Sequence, residues 1–200
     1  MPVDSILSSE ASLISHKQAN AVQLLVCGVD GVLTNGTIGY TSNRCETHVF
    51  NVRDGLGIRL ANWFELKIAW ISGRVSNELS ERAHYLDVPL YPGYSDKSVG
   101  IRTIAHEMGV PLEKIAFVGD DLNDLPAFDV VGLPITVANA PQEVKDKAAC
   151  VTKARGGEGA VREIIEAILR GQGQWEAAVE NYLQILRDPE RVMRFPCTEE

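Results

Sequence analysis

Asp120, Asp121 and Asp124 put three carboxylates within five residues, directly after the apolar run Lys114-Ile-Ala-Phe-Val118. So dense a group of acids repels itself unless a cation sits among them, and oxygen ligands of this kind suit Mg²⁺. Asp121 or Asp124 also has the type and the place of a helix cap. A further acid, Asp30, stands in Cys27-Gly28-Val29-Asp30-Gly31, after the apolar run Val22–Cys27. Residues two apart on an extended strand point to one side, so positions 28 and 30 are expected to face the same crevice.

Groups suited to an anion accompany the acids. Ile71-Ser72-Gly73-Arg74 offers a hydroxyl and glycine amides at a strand-to-helix turn, a fair place for an anionic oxygen and equally an ordinary helix start. Lys97 follows Gly93-Tyr-Ser-Asp96 and could neutralise a phosphate at that crevice. Asn51-Val52-Arg53-Asp54-Gly55, with Arg59 one turn on, brings two guanidiniums beside a carboxylate. That grouping suits carboxylate or phosphate recognition, or else forms an exposed ion pair of little worth. Gly156-Gly157-Glu158-Gly159 is glycine-rich but follows no buried strand, so it makes a poor dinucleotide motif. The four histidines, at 16, 48, 84 and 106, show no metal-site spacing, and no nucleophile elbow is present.

Short apolar runs at Val22–Cys27, Lys67–Ile71, Pro89–Tyr91 and Lys114–Val118 alternate with helical patterns at Asp54–Phe64, Val75–Leu86 and Asp96–Met108. Thr37–Tyr40 and His48–Val52 are expected to pair as a hairpin around Ser42-Asn43-Arg44. The rhythm continues through Leu122–Val130, Leu133–Val137, Pro141–Ala149 and Val161–Leu169, and Trp175–Leu186 reads as a last amphipathic helix. Such alternation predicts an α/β, Rossmann-like, doubly wound parallel sheet with helices on both faces and a β-hairpin flap after the first strand. Its chemistry belongs beyond the carboxyl ends of the strands, where Asp30, Ser72 and Asp120 fall.

The 200 residues and 45% hydrophobic content fit one domain with a full core. Residues 1–20 read as a polar lead-in without signal-peptide character, 21–171 as the catalytic-type domain, and 172–200 as a C-terminal helix and tail. A net charge of −8 argues against nucleic acid as a partner. No apolar run reaches the roughly 18 residues of a membrane span. Scattered Cys27, Cys45, Cys150 and Cys197 fit reduced thiols in a cytoplasmic protein.

Taken in order, Val29-Asp-Gly-Val-Leu33, Phe50-Asn-Val-Arg-Asp-Gly-Leu-Gly-Ile-Arg59, Ile71-Ser-Gly-Arg74, Lys97, Val118-Gly-Asp-Asp121 with Asp124, and Gly157-Glu-Gly-Ala-Val-Arg-Glu163 resemble the haloacid dehalogenase superfamily. The likeness runs from about Val22 to Leu169 and is to the small cap-less phosphatases acting on 3-deoxy-D-manno-octulosonate 8-phosphate and related sugar-acid phosphates. The resemblance implies phosphomonoester hydrolysis through an aspartyl phosphate. An aspartate at position 28 would attack phosphorus, and Asp30 would serve as acid and then base. Mg²⁺ would lie among the position-28 carboxylate, Asp30 and Asp120, in the acid group that includes Asp121 and Asp124. Ser72 and Lys97 would hold phosphoryl oxygens, and Asn51, Val52, Arg53, Asp54, Gly55, Arg59, Arg74 and Arg82 would contact the substrate. It further implies a homotetramer, its glycine-rich segment reaching a neighbour's site, and a role in lipopolysaccharide or capsule sugar synthesis.

The chain departs from that pattern at Gly28, which can neither attack phosphorus nor ligate a metal. Glu158 stands where the subfamily usually has arginine, and Asn139 replaces a usual aspartate. Three readings of Gly28 follow: an inactive relative kept for phosphosugar binding or as an oligomeric scaffold, an enzyme carrying a changed residue, or a weak hydrolase in which water attacks directly. A receiver-like signalling domain is a separate alternative, with Asp30 as acceptor, but it leaves the hairpin and the glycine segment without a role.

Overall fold

The computed structural model describes residues 13–42 and 46–188. Expectations for the first twelve residues, the hairpin tip with Cys45, and the tail from residue 189 with Cys197 lie outside them.

The main sheet contains β1 (Leu24–Gly28), β4 (Lys67–Ile71), β5 (Leu90–Tyr91), β6 (Ile115–Gly119), β7 (Leu133–Thr136) and β8 (Cys150–Val151). Their order is β5-β4-β1-β6-β7-β8, and every pairing is parallel. Strands β1 and β6 are buried at every position, as continuous apolar runs must be when helices cover both faces. The helices are α1 (His16–Ala21), α2 (Val52–Asn62), α3 (Asn77–Tyr85), α4 (Lys97–Met108), α5 (Leu125–Phe128), α6 (Gln142–Lys145), α7 (Ala160–Gly171) and α8 (Trp175–Leu186). One apolar cluster joins the sheet to these layers, from Ile14 to Trp175 and Ala178 on α8, with Trp70 and Phe117 fully buried at its centre.

The order explains where chemistry can occur. From β1 the chain passes to β4 on one side and later to β6 on the other, which makes the end of β1 the switch point of the sheet. Gly28 pairs in register with Ile71, and Cys27 with Val118. The segments starting at Val29, Ser72 and Asp120 therefore leave three neighbouring strands at one level.

Four local expectations change. The hairpin, β2 (Gly39–Tyr40) with β3 (Glu46–Thr47), uses Glu46–Thr47 where His48–Val52 was expected to pair. Asn51 instead caps α2, its side chain accepting the Arg53 amide at 2.9 Å, so helix start chemistry takes that end of the segment. The first strand stops at Gly28, and Asp30 is not its alternating continuation. A wide turn over Val29–Leu33, closed by the Thr34 amide on the Val29 carbonyl at 3.1 Å, carries Asp30 out, with Gly31 at φ +76°. The polar lead-in ends in α1, started by a Ser15–Gln18 capping box, and Cys150–Val151 add a short edge strand.

Candidate functional site

Thr34 shapes the turn that presents Asp30. Its buried hydroxyl accepts the amides of Gly31 and Gly36, at 3.3 and 3.2 Å. Gly31 is required twice, by its positive φ and because a β-carbon there would collide with the Asp120 carboxylate. Asp120 thus lies directly against the turn that carries Asp30. Its carboxyl is pushed up to about 7, first by burial and then by the charges of Asp124, Asp121 and Asp30, against the opposing pull of Lys97.

The three clustered acids divide their roles. Asp124 is buried, and its Oδ2 accepts the Asp120 and Asp121 amides at 2.8 and 3.4 Å. Its Oδ1 takes the buried Lys97 ammonium at 3.0 Å. Asp121 is exposed, and its Oδ1 accepts the Leu122 amide as a helix cap. The helix-cap reading therefore describes Asp121, while Asp124 is an organiser of the loop. Asp120 retains a carboxylate that a cation would relieve. Among the described residues no group of three or more His, Cys, Asp or Glu side chains is placed to hold a metal ion. Gly28, at the end of β1, adds no side chain to these acids.

Ser72 is buried at the end of β4, with its amide on the Tyr91 carbonyl at 3.0 Å and its Oγ accepting the Arg74 amide at 3.0 Å. Arg74 turns to the hairpin and pairs with Glu46. The guanidinium stays charged more firmly than usual, first through a hydrogen bond with Tyr40 and also through Glu46, against the cost of burial.

The α2 residues form a neighbouring wall. Asn51 donates to the Gly157 carbonyl at 3.3 Å, and buried Asp54 accepts the Arg162 amide at 2.6 Å. Val52, Arg53, Gly55, Arg59, Arg82 and Tyr85 line a cavity of about 380 Å³. Arg59 and Arg82 stack on the Tyr85 ring at 4.8 and 5.3 Å, and Arg82 also lies over Phe50 at 5.6 Å. The arginine-lined cavity does not include Asp30 or Asp120 in its lining, and the Phe50 ring lies beside both its Arg82 and His48.

The glycine segment packs on its own chain: β-carbons at Gly156 and Gly157 would strike Gly31 and Asn35. Asn139, given no role from sequence, accepts the Gly156 amide at 2.8 Å. Residue type and motif spacing single out neither His48 nor Glu46. The signal was period-2 alternation, with Glu46, His48 and Phe50 turned inward and Thr47 and Val49 exposed.

Residues 68–165 match the haloacid dehalogenase-like hydrolase family. The 3-deoxy-D-manno-octulosonate 8-phosphate phosphatase of Yersinia pestis is 38% identical over 177 residues, 88% of this chain and 94% of the relative. A 1.95 Å crystal structure of that phosphatase from Yersinia pestis superposes with TM-score 0.78 at 40% identity, over 80% of this chain and 88% of the other. The Moraxella catarrhalis phosphatase of the same name, solved in complex with magnesium ion, phosphate ion and a KDO molecule, gives TM-score 0.80 at 33% identity, over 84% of this chain and 97% of the other.

Proposed function

Because the chain belongs to the haloacid dehalogenase-like hydrolases, in the 3-deoxy-D-manno-octulosonate 8-phosphate phosphatase-like branch, we propose that it carries that branch's phosphosugar site with its turnover severely impaired by Gly28. The observation that carries this reading is the meeting of Asp30, Ser72, Lys97 and Asp120 beyond three adjacent strand ends, beside a position with no side chain. The substrate class is a sugar-acid phosphate or another small phosphomonoester, with the arginines around Tyr85 suited to its carboxylate end.

The donor set fits Mg²⁺ with one ligand fewer than the family pattern. Asp120 is a crowded, partly buried carboxylate whose charged neighbours include the oxygen-bearing Asp124, Asp121 and Asp30 together with the Lys97 ammonium. Asp120 and the main chain at Asp30 would hold the ion, which when bound offsets the negative charge of a phosphate. Lys97, held by Asp124, keeps a cation at the same level of the sheet, and Ser72 offers its hydroxyl there. Asp30 is the group placed to move a proton to or from an ester oxygen. No residue of this chain supplies the carboxylate that would attack phosphorus from position 28.

Residues 21–171 are the unit proposed to carry the site, followed by the helix and tail of 172–200. A homotetramer and a cytoplasmic location complete the reading, and sedimentation analysis tests the former. No helix among the described residues is long and apolar enough to cross a membrane.

A binding-only role is the second reading, favoured by Gly28 itself. Phosphate release from 3-deoxy-D-manno-octulosonate 8-phosphate with Mg²⁺, compared between the written chain and Gly28→Asp, separates the two. Turnover by the variant alone supports an intact phosphatase scaffold lacking one carboxylate. Binding of the sugar phosphate without turnover by either supports the binding role, and absence of both would sink the phosphosugar reading.

A further inference from the structure

His48 is a buried polar side chain to which the proposed site gives no task. Its imidazole has 0% exposure and sits between two carboxylates, with Nδ1 3.8 Å from Asp30 Oδ1 and Nε2 3.4 Å from Glu46 Oε2. Neither ring nitrogen has a hydrogen-bond partner, and neither do those two carboxylate oxygens. Glu46 is itself fixed by Arg74, and Tyr40 donates to it at 3.3 Å. The Phe50 ring lies 6.4 Å from the imidazole and stacks on buried Trp70 at 6.0 Å. A row Arg74–Glu46–His48–Asp30 thus runs from the hairpin to the acid.

A buried imidazole set between two carboxylates, with neither nitrogen yet in a hydrogen bond, is costly unless something draws the groups together. Hydrogen bonds of this kind are often long in the empty site and tighten around the substrate. A sugar alkoxide is a poor leaving group, so its departure depends on how well the acid faces it. We propose that His48 is the positioning residue for Asp30, holding Oδ1 so that the second carboxyl oxygen faces the ester oxygen of an alkyl phosphate. This rests on the phosphosugar-site reading. In the Gly28→Asp protein the introduced carboxylate forms a bond to phosphorus as the ester P–O bond breaks. The released electron pair stays on the ester oxygen, which takes the proton of Asp30.

Turnover is measured in the Gly28→Asp background with His48→Leu and His48→Gln added. With the sugar-acid phosphate, His48→Leu is expected to lower kcat on the order of 10- to 100-fold with KM little changed, and His48→Gln to restore most of it. In the first-turnover burst with p-nitrophenyl phosphate, whose leaving group needs no proton, the same Leu variant is expected to lose less than about threefold. Equal losses with both esters, or a loss confined to KM, overturn the proposal.

A second measurement needs no activity. In the written chain labelled with carbon-13, the Asp30 carboxyl resonance is expected to move in His48→Leu and to return in His48→Gln. An unmoved resonance overturns the proposal. If Gly28→Asp turns over neither ester, the phosphatase reading fails, and this resonance alone decides whether His48 holds Asp30.

Discussion

Lys97 Nζ lies 3.0 Å from Asp124 Oδ1 with both side chains buried, while the other oxygen of Asp124 accepts the Asp120 amide at 2.8 Å. One carboxylate therefore fixes both the cation of the crevice and the loop that carries Asp120. Removing the cation leaves Asp124 charged in the interior. Lys97→Met is expected to cost about 3–5 kcal/mol in urea unfolding. The double variant Lys97→Met with Asp124→Asn should cost less than the sum of the singles, because neither partner then strands the other. Strict additivity in that cycle would deny the pair its organising role.

Gly28 has ordinary backbone angles, φ −56° and ψ 152°, but a β-carbon there would sit 3.2 Å from the Val118 carbonyl oxygen and 3.3 Å from Val32 Cγ2. Tight contact on one side opposes the stabilisation that comes from restricting the unfolded chain. Gly28→Ala is expected to change stability by less than about 1 kcal/mol. Gly28→Asp, which adds a ligand, should strengthen Mg²⁺ binding by at least about tenfold, or about 1.4 kcal/mol. Calorimetric titration with Mg²⁺ checks it, and equal affinities would remove position 28 from the metal site.

Gly31 faces two demands, a φ of +76° and the Asp120 carboxylate against its α-carbon. Gly31→Ala should cost at least about 1–3 kcal/mol from backbone strain alone. Binding of a phosphosugar should fall with it, since Asp30 and Asp120 move together. A variant with native stability and native ligand affinity would contradict this account of the turn.

Asp54 is buried and its carboxyl is raised to about 6, first by burial, while the Arg162 amide and charge and the Gly159 amide pull it down. In the unfolded chain the group titrates near the usual value of about 4. Between these values the folded state binds more protons, so this residue contributes stability below pH 4 that is lost as pH rises to about 6. Asp54→Asn keeps an acceptor for the Arg162 amide and removes the titration. Its stability relative to the written chain is expected to improve by up to about 3 kcal/mol between pH 4 and pH 7, measured by urea unfolding across that range. A pH-independent difference would show that Asp54 does not titrate in this window.

The amino-acid sequence by itself determined the parallel sheet, because short apolar runs such as Lys67–Ile71 and Lys114–Val118 alternate with helical stretches, and such crossovers call for parallel strands with helices on both faces. Residue type and local spacing also marked Asp30, Ser72 and Asp120 as strand-end chemistry and Lys97 as a cation for the same crevice, whereas the missing carboxylate at Gly28 follows from the family resemblance alone. Tertiary structure alone decided which acid does what. Asp121 and Asp124 are indistinguishable by spacing, yet one faces water as a cap and the other is buried against Lys97. The pairing of His48 with Asp30, 18 positions apart, likewise depends on a hairpin folding back over the β1 turn, and period-2 alternation names the inward residues without saying what they meet. Local physics sets which face a side chain takes. The partner on that face is fixed only when distant segments are packed together.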